Sequence, residues 1–169
     1  SETMDDLVKR EGLWFKKFSE VPFNGTVSGK SKGAFKNGKR EGAWVKFHDN
    51  GQLMYKGNWK NDKQNGAWIG YWDNGQLWYK GNYKDNIQEG AWVHYYESGG
   101  HGGQLKYKGN WKNGKPEGAW VRYHYNGQLS EKGNYKNGKS EGVWVSYNLD
   151  GTVDKKWTGT FKNGKKISD

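Results

Sequence analysis

The chain has 169 residues, 27 of them Gly and none Cys, and carries a formal net charge of +10. Such a length fits one domain. The missing thiols exclude a disulfide framework and any thiolate metal site, and no run of about 18 apolar residues is present to cross a membrane as a helix. Leu, Ile, Val and Phe make up only roughly 15% of the chain, a fraction typical of disorder. The 11 Trp and 11 Tyr compensate, because each large ring buries about 150–250 Å².

The first 32 residues read as an N-terminal cap with a degenerate repeat. They open on the polar Ser1-Glu2-Thr3-Met4-Asp5-Asp6, without the apolar core of a signal peptide. The compartment stays open between a bacterial cytoplasm and a mature secreted or periplasmic form. Glu11-Gly12-Leu13-Trp14-Phe15 restates the theme of the later repeats, which makes Trp14 a candidate sixth member of their tryptophan ladder. Gly29-Lys30-Ser31 has the ending of a phosphate-binding loop, but Asn24 stands where the first glycine is required and no helix follows. That reading fails.

From Gly33 the same block of about 24 residues recurs, as tandem repeat architectures do. Gly33–Lys56 reads GAFKNGKREGAWVKFHDNGQLMYK and Gly57–Lys80 reads GNWKNDKQNGAWIGYWDNGQLWYK. The tracts from Gly81, Gly109 and Gly133 follow, giving five tandem repeats over 33–158. Residues 159–169 are a partial repeat and C-terminal cap. Each repeat holds two turn signals, such as Asn37-Gly38 and Asn50-Gly51, and Asn-Gly suits the positive φ angles of a type I′ hairpin. The segments between them are rich in Trp, Tyr, Val and Phe, which favour strands, and none keeps a helical apolar period. The expected fold is all-β: an elongated single antiparallel sheet of tandem hairpins.

Register follows by arithmetic. With Asn50-Gly51 as a two-residue loop, His48 pairs with Leu53 and Trp44 falls opposite Gly57, where an indole covers the bare backbone. The same rule at Asn61-Asp62 sets Tyr55 opposite Trp68. One face then carries Trp44, Leu53, Tyr55, Gly57, Trp59 and Trp68, and the other Val45, Phe47, Met54, Lys56 and Lys60.

Tyr55-x-Gly57-x-Trp59, followed by Asp62, Gly66 and Trp68, resembles the MORN repeat, and Tyr79–Tyr83 and Tyr107–Trp111 restate it. Gly-Ala-Trp replaces the usual Gly-x-Gly, as at Gly66-Ala67-Trp68. Together with Asn-Gly-Gln-Leu, this resembles the bacterial variant in YwqK-type antitoxin proteins. The resemblance implies a non-catalytic binding protein, linked in relatives to protein binding, immunity against a toxin, or association with phospholipids.

No residue pattern argues for chemistry. His48 and His124 share a repeat phase but lie three repeats apart, too far for one metal ion, and no nucleophile motif is present. No catalytic residue, metal or cofactor is expected. Function is expected where the repeats differ. The hairpin between Tyr96 and Gln104 is roughly four residues longer than its counterparts and holds His101, and longer loops on a rigid scaffold often carry contacts. Trp72 and Trp78 replace the His48 and Met54 of the preceding repeat, and His94 and Arg122 occupy a variable strand position. Trp72, Trp78, His94, Tyr96, His101 and Arg122 are thus the candidate contacts for a protein partner. Lys56, Lys80, Lys108 and Lys132 form a row suited to an anionic phospholipid surface; glycan stacking on the aromatic ladders is a further alternative. Nucleic acid is disfavoured because lysines alternate with acids and no recognition motif appears. Unpaired edge strands also permit a homodimer.

Overall fold

The structure is a computed structural model and describes residues 1–97 and 103–169. The fold is all-β. Strands β1, β4, β5, β6, β7 and β8 are hydrogen-bonded in that order, β9 to β16 are hydrogen-bonded in chain order, and β2 and β3 form a separate pair. Tandem hairpins make the sheet antiparallel, except that β1 (Glu2–Thr3) runs parallel to β4 (Gly25–Ser28). The chain divides into two compact units. The first comprises Ser1–Gly75 with Tyr83–Ile87, and the second Gln76–Asn82 with Gln88–Asp169.

In the first unit, β5 (Ser31–Lys36), β6 (Lys39–Phe47), β7 (Leu53–Lys60) and β8 (Lys63–Tyr71) make successive hairpins. Asn37-Gly38 and Asn61-Asp62 take positive φ at both central positions, the type I′ geometry whose twist matches paired strands. Asn50-Gly51 differs from the expectation. Only Gly51 is left-handed, at φ 85°; its N–H donates to the His48 carbonyl, and the His48 N–H donates to the Gln52 carbonyl. This is a three-residue loop ending in a left-handed glycine. Phe47 therefore pairs with Leu53 and places that leucine on the Val45 face by register. A bulge at Met54 then restores the frame, so Trp44 still faces Gly57.

The expected pairing of Tyr55 with Trp68 is also replaced. Gly66 takes φ 78° and bulges the strand with Ala67, so Trp68 pairs with Gly57 and Tyr55 with Gly70. Gly57 thus lies between Trp44 on β6 and Trp68 on β8. The indole that covers it belongs to Trp68; Trp44 covers Gly33. Trp44 and Trp68 are 3% and 2% exposed. On area grounds each such ring contributes roughly 4–6 kcal/mol at most.

Trp14 does not join this ladder. Glu11 and Gly12 both have positive φ and form the turn of the hairpin β2 (Leu7–Arg10) and β3 (Leu13–Lys16). There Trp14 packs on Phe35, with ring centroids 5.9 Å apart, and Leu7, Phe23, Val27 and Phe35 complete the core beside Trp44. The Glu-Gly pair serves here as a turn and in the repeats as a bulge, which is why the shared motif misleads.

In the second unit, part of β9 (Leu77–Lys84) is followed by β10 (Ile87–Tyr95), β11 (Leu105–Lys112), β12 (Lys115–Tyr123), β13 (Leu129–Lys136) and β14 (Lys139–Ser146). The short β15 (Gly159–Lys162) and β16 (Lys165–Ser168) close the order. Trp92, Trp120 and Trp144 lie against Gly81, Gly109 and Gly133. Trp92 and Trp144 donate Nε1–H to the carbonyls of Asn82 and Asn134, at 3.1 and 3.0 Å. Trp120 instead turns Cε3 and Cζ3 of its six-membered ring onto Gly109.

Candidate binding surfaces

Strand alternation gives the second unit two faces. The tryptophan face holds the variable positions His94, Arg122 and Ser146 in one register row with Tyr107 and Glu131: His94 pairs with Tyr107, Tyr107 with Arg122, Arg122 with Glu131, and Glu131 with Ser146. His94 is stacked between Tyr79 and Tyr107, with centroids at 5.7 and 4.4 Å, and Tyr107 stacks in turn on Trp120 at 5.0 Å. Burial, aided by the positive charge of Lys106, pushes the His94 pKa down to about 4. Its Nε2 is buried without a hydrogen-bond partner among the described residues. Neutral imidazole therefore serves as a rung of the aromatic stack. Arg122 is exposed, and its Nε stands 3.5 Å from Glu131 Oε1. Such an exposed pair contributes about 0.2–1 kcal/mol.

The remaining candidates are placed separately. Trp78 is 37% exposed and meets Tyr79 edge-on at 5.0 Å; its repeat position is that of Met54 and Lys106, the extra residues of bulges. Bulges commonly re-aim a side chain. Tyr96 Oη donates to the Tyr123 carbonyl at 3.0 Å, while Lys106 Nζ lies 5.3 Å from its ring centroid. Trp72 belongs to the first unit, where its carbonyl accepts from Gly75 N–H. His101 lies outside the described residues. His48 and His124 are held structurally, each with Nε2 2.9 Å from a neighbouring strand's carbonyl, that of Tyr71 and Tyr147 respectively. Among the described residues no group of His, Asp or Glu could hold a metal ion.

The opposite face carries the lysine row. Lys56, Lys80, Lys108 and Lys132 are all exposed. In the second unit Val93 pairs with Lys108, Lys108 with Val121, Val121 with Lys132, and Lys132 with Val145. These half-buried valines, together with Ala91 and Ala119, line an open groove of ≈ 610 Å³.

Two sets of structural contacts escaped the sequence reading. The Glu before Gly-Ala-Trp or Gly-Val-Trp is an inter-hairpin clasp: Glu117 and Glu141 carboxylates accept the turn N–H groups of Asn137 and Asn163, at 2.7 and 2.9 Å. Glu41 does the same for Asn61 in the first unit. Its recurrence in phase was the available signal. The other set centres on Asp62, which occupies a left-handed turn position (φ 64°) that other turns give to Gly or Asn. It accepts from Arg40 at 2.5 Å and Lys9 at 2.7 Å, tying the N-terminal hairpin to the sheet. The Arg40 guanidinium also lies 3.4 Å from the Trp59 ring centroid. That departure from glycine was visible; its partners were not.

A fold of glycine-punctuated hairpins with a tryptophan on every repeat defines a tandem β-hairpin repeat module. Residues 40–61, 64–85 and 116–137 match the family model described as the MORN repeat variant, so the chain carries MORN-variant repeats in those segments. No curated protein matches the chain.

Proposed function

We propose that this protein is a non-catalytic protein-interaction module whose second unit docks a partner on its tryptophan face. One observation carries the reading: the variable positions His94 and Arg122, and Glu131 where the preceding repeats hold tyrosine, share a single register row with Tyr107, beside an invariant tryptophan–glycine framework. A scaffold held constant with one changing row is the arrangement expected of a recognition surface. Exposed Arg122 supplies a side-chain type that anchors interfaces. The immunity-type role implied by the resemblance has its support in that resemblance alone.

The test is a photo-crosslinker placed at Glu131, which pairs with Arg122 in the row, with control positions in β16. Crosslinks to one partner from the row, abolished by Arg122→Glu without loss of β-sheet signal, support the reading. Crosslinks confined to β16 overturn it.

A further inference from the structure

The groove on the other face has a pattern that the docking row does not explain. Across four consecutive strand pairings it alternates valine and lysine in register: Val93, Lys108, Val121, Lys132, Val145. No Asp or Glu lines it, and Glu131 points to the other face beside Arg122. Both lysines are exposed, and neighbouring Val143 is 67% exposed. Such a surface offers apolar area and positive charge in a fixed order.

We infer that this groove takes an acidic amphipathic helix of a partner protein, lying across strands β10 to β14. Three features select that occupant. β11, β12 and β13 are each hydrogen-bonded on both sides, so no backbone is free to accept an added strand. The occupant must satisfy its own backbone, as a helix does. Lys108 and Lys132 are two strands apart, about 9.6 Å at the usual spacing of about 4.8 Å. One heptad of helix advances about 10.5 Å, so carboxylates seven residues apart reach both lysines. Apolar residues half a heptad away then meet Val93, Val121 and Val145.

The experiment titrates the whole chain with a fluorescent synthetic helix carrying Glu and Leu at half-heptad spacing. Two control peptides replace every Glu by Gln or by Lys. The acidic peptide should bind at least tenfold more tightly than the Gln peptide. Lys108→Glu/Lys132→Glu should weaken it by at least tenfold and give the Lys peptide the advantage, while Arg122→Glu leaves both unchanged. Val121→Thr, which keeps strand propensity and both lysines, should weaken the acidic peptide severalfold. Equal affinity for Glu and Gln peptides, insensitivity to the double charge reversal, or no binding would overturn the inference. So would lysine-dependent binding to phosphatidylserine vesicles without any binding of the peptide. Because the docking row lies on the other face, its crosslinking test can succeed or fail independently.

Discussion

Trp68 lies so close to Gly57 that a Cβ built there would stand 2.2 Å from Cδ2 of the indole. The same ring meets Tyr55 at 5.3 Å and Trp59 edge-on at 5.4 Å. Its Nε1–H is satisfied by the Asn58 carbonyl at 3.1 Å. Glycine at 57 is therefore the floor on which the ring rests, and the hydrogen bond fixes which way the ring turns.

Gly57→Ala should destabilise the protein by about 1–3 kcal/mol through overpacking. Trp68→Ala should cost about 3–5 kcal/mol through the cavity it leaves. The two changes should not add: once the indole is gone, alanine at 57 has room. Urea unfolding of both single variants and the double variant measures this coupling. Additive losses would mean that the ring does not rest on the glycine.

His94 makes the stability of its stack dependent on acid. Its pKa in the fold, about 4, lies below the ordinary 6.5 because burial, then Lys106, disfavours the cation. The unfolded chain accordingly takes up a proton that the fold resists. Stability should be complete above pH 6.5 and fall as the pH drops from there towards 4. His94→Phe, which retains a ring between Tyr79 and Tyr107, should flatten this part of the profile. Thermal melts between pH 4 and 7, with an NMR titration of the imidazole, check both statements.

Asp62 should respond to acid in a lower range. Burial alone would raise its pKa, but hydrogen bonds from Arg40 and Lys9 outweigh it and hold the carboxyl below its ordinary 3.8. Its contribution is present above that value and is lost as the pH falls through the depressed one. Asp62→Asn tolerates the left-handed turn yet loses the charge. It should cost about 1.5–3 kcal/mol, the range for hydrogen bonds to charged groups. Proteolysis of the 1–32 segment should quicken in the same variant, because Lys9 loses its anchor.

Glu117→Ala removes the acceptor of the Asn137 N–H while leaving the tryptophan packing intact. The expected loss is about 1 kcal/mol, with faster amide exchange centred on Asn137. Unchanged exchange there would show that the clasp does not hold the turn.

The repeat period, the all-β class, the Asn37-Gly38 type of turn and the tryptophan and glycine ladders were all legible in the residues. Each is a local preference: left-handed φ at Asn-Gly, strand formation by aromatic and β-branched residues, and a period that forces identical units to pack alike. The opposition of Trp44 and Gly57 was legible as well, although through two offsets that cancel, the three-residue loop at Gly51 and the bulge at Met54. The pairing of Tyr55 was not, because a bulge at Gly66-Ala67 depends on an indole two residues later seeking a glycine across the strand.

What the chain determined by itself was therefore the hairpin and its repetition. Only the tertiary structure decided which glycine each indole covers, that Trp14 leaves the ladder to close the first core, that Asp62 gathers Arg40 and Lys9, and that valine and lysine alternate across β10 to β14. The physical reason is range. A turn is set by the φ preferences of its own residues, whereas a contact between strands depends on register, and a single bulged residue re-pairs every side chain beyond it.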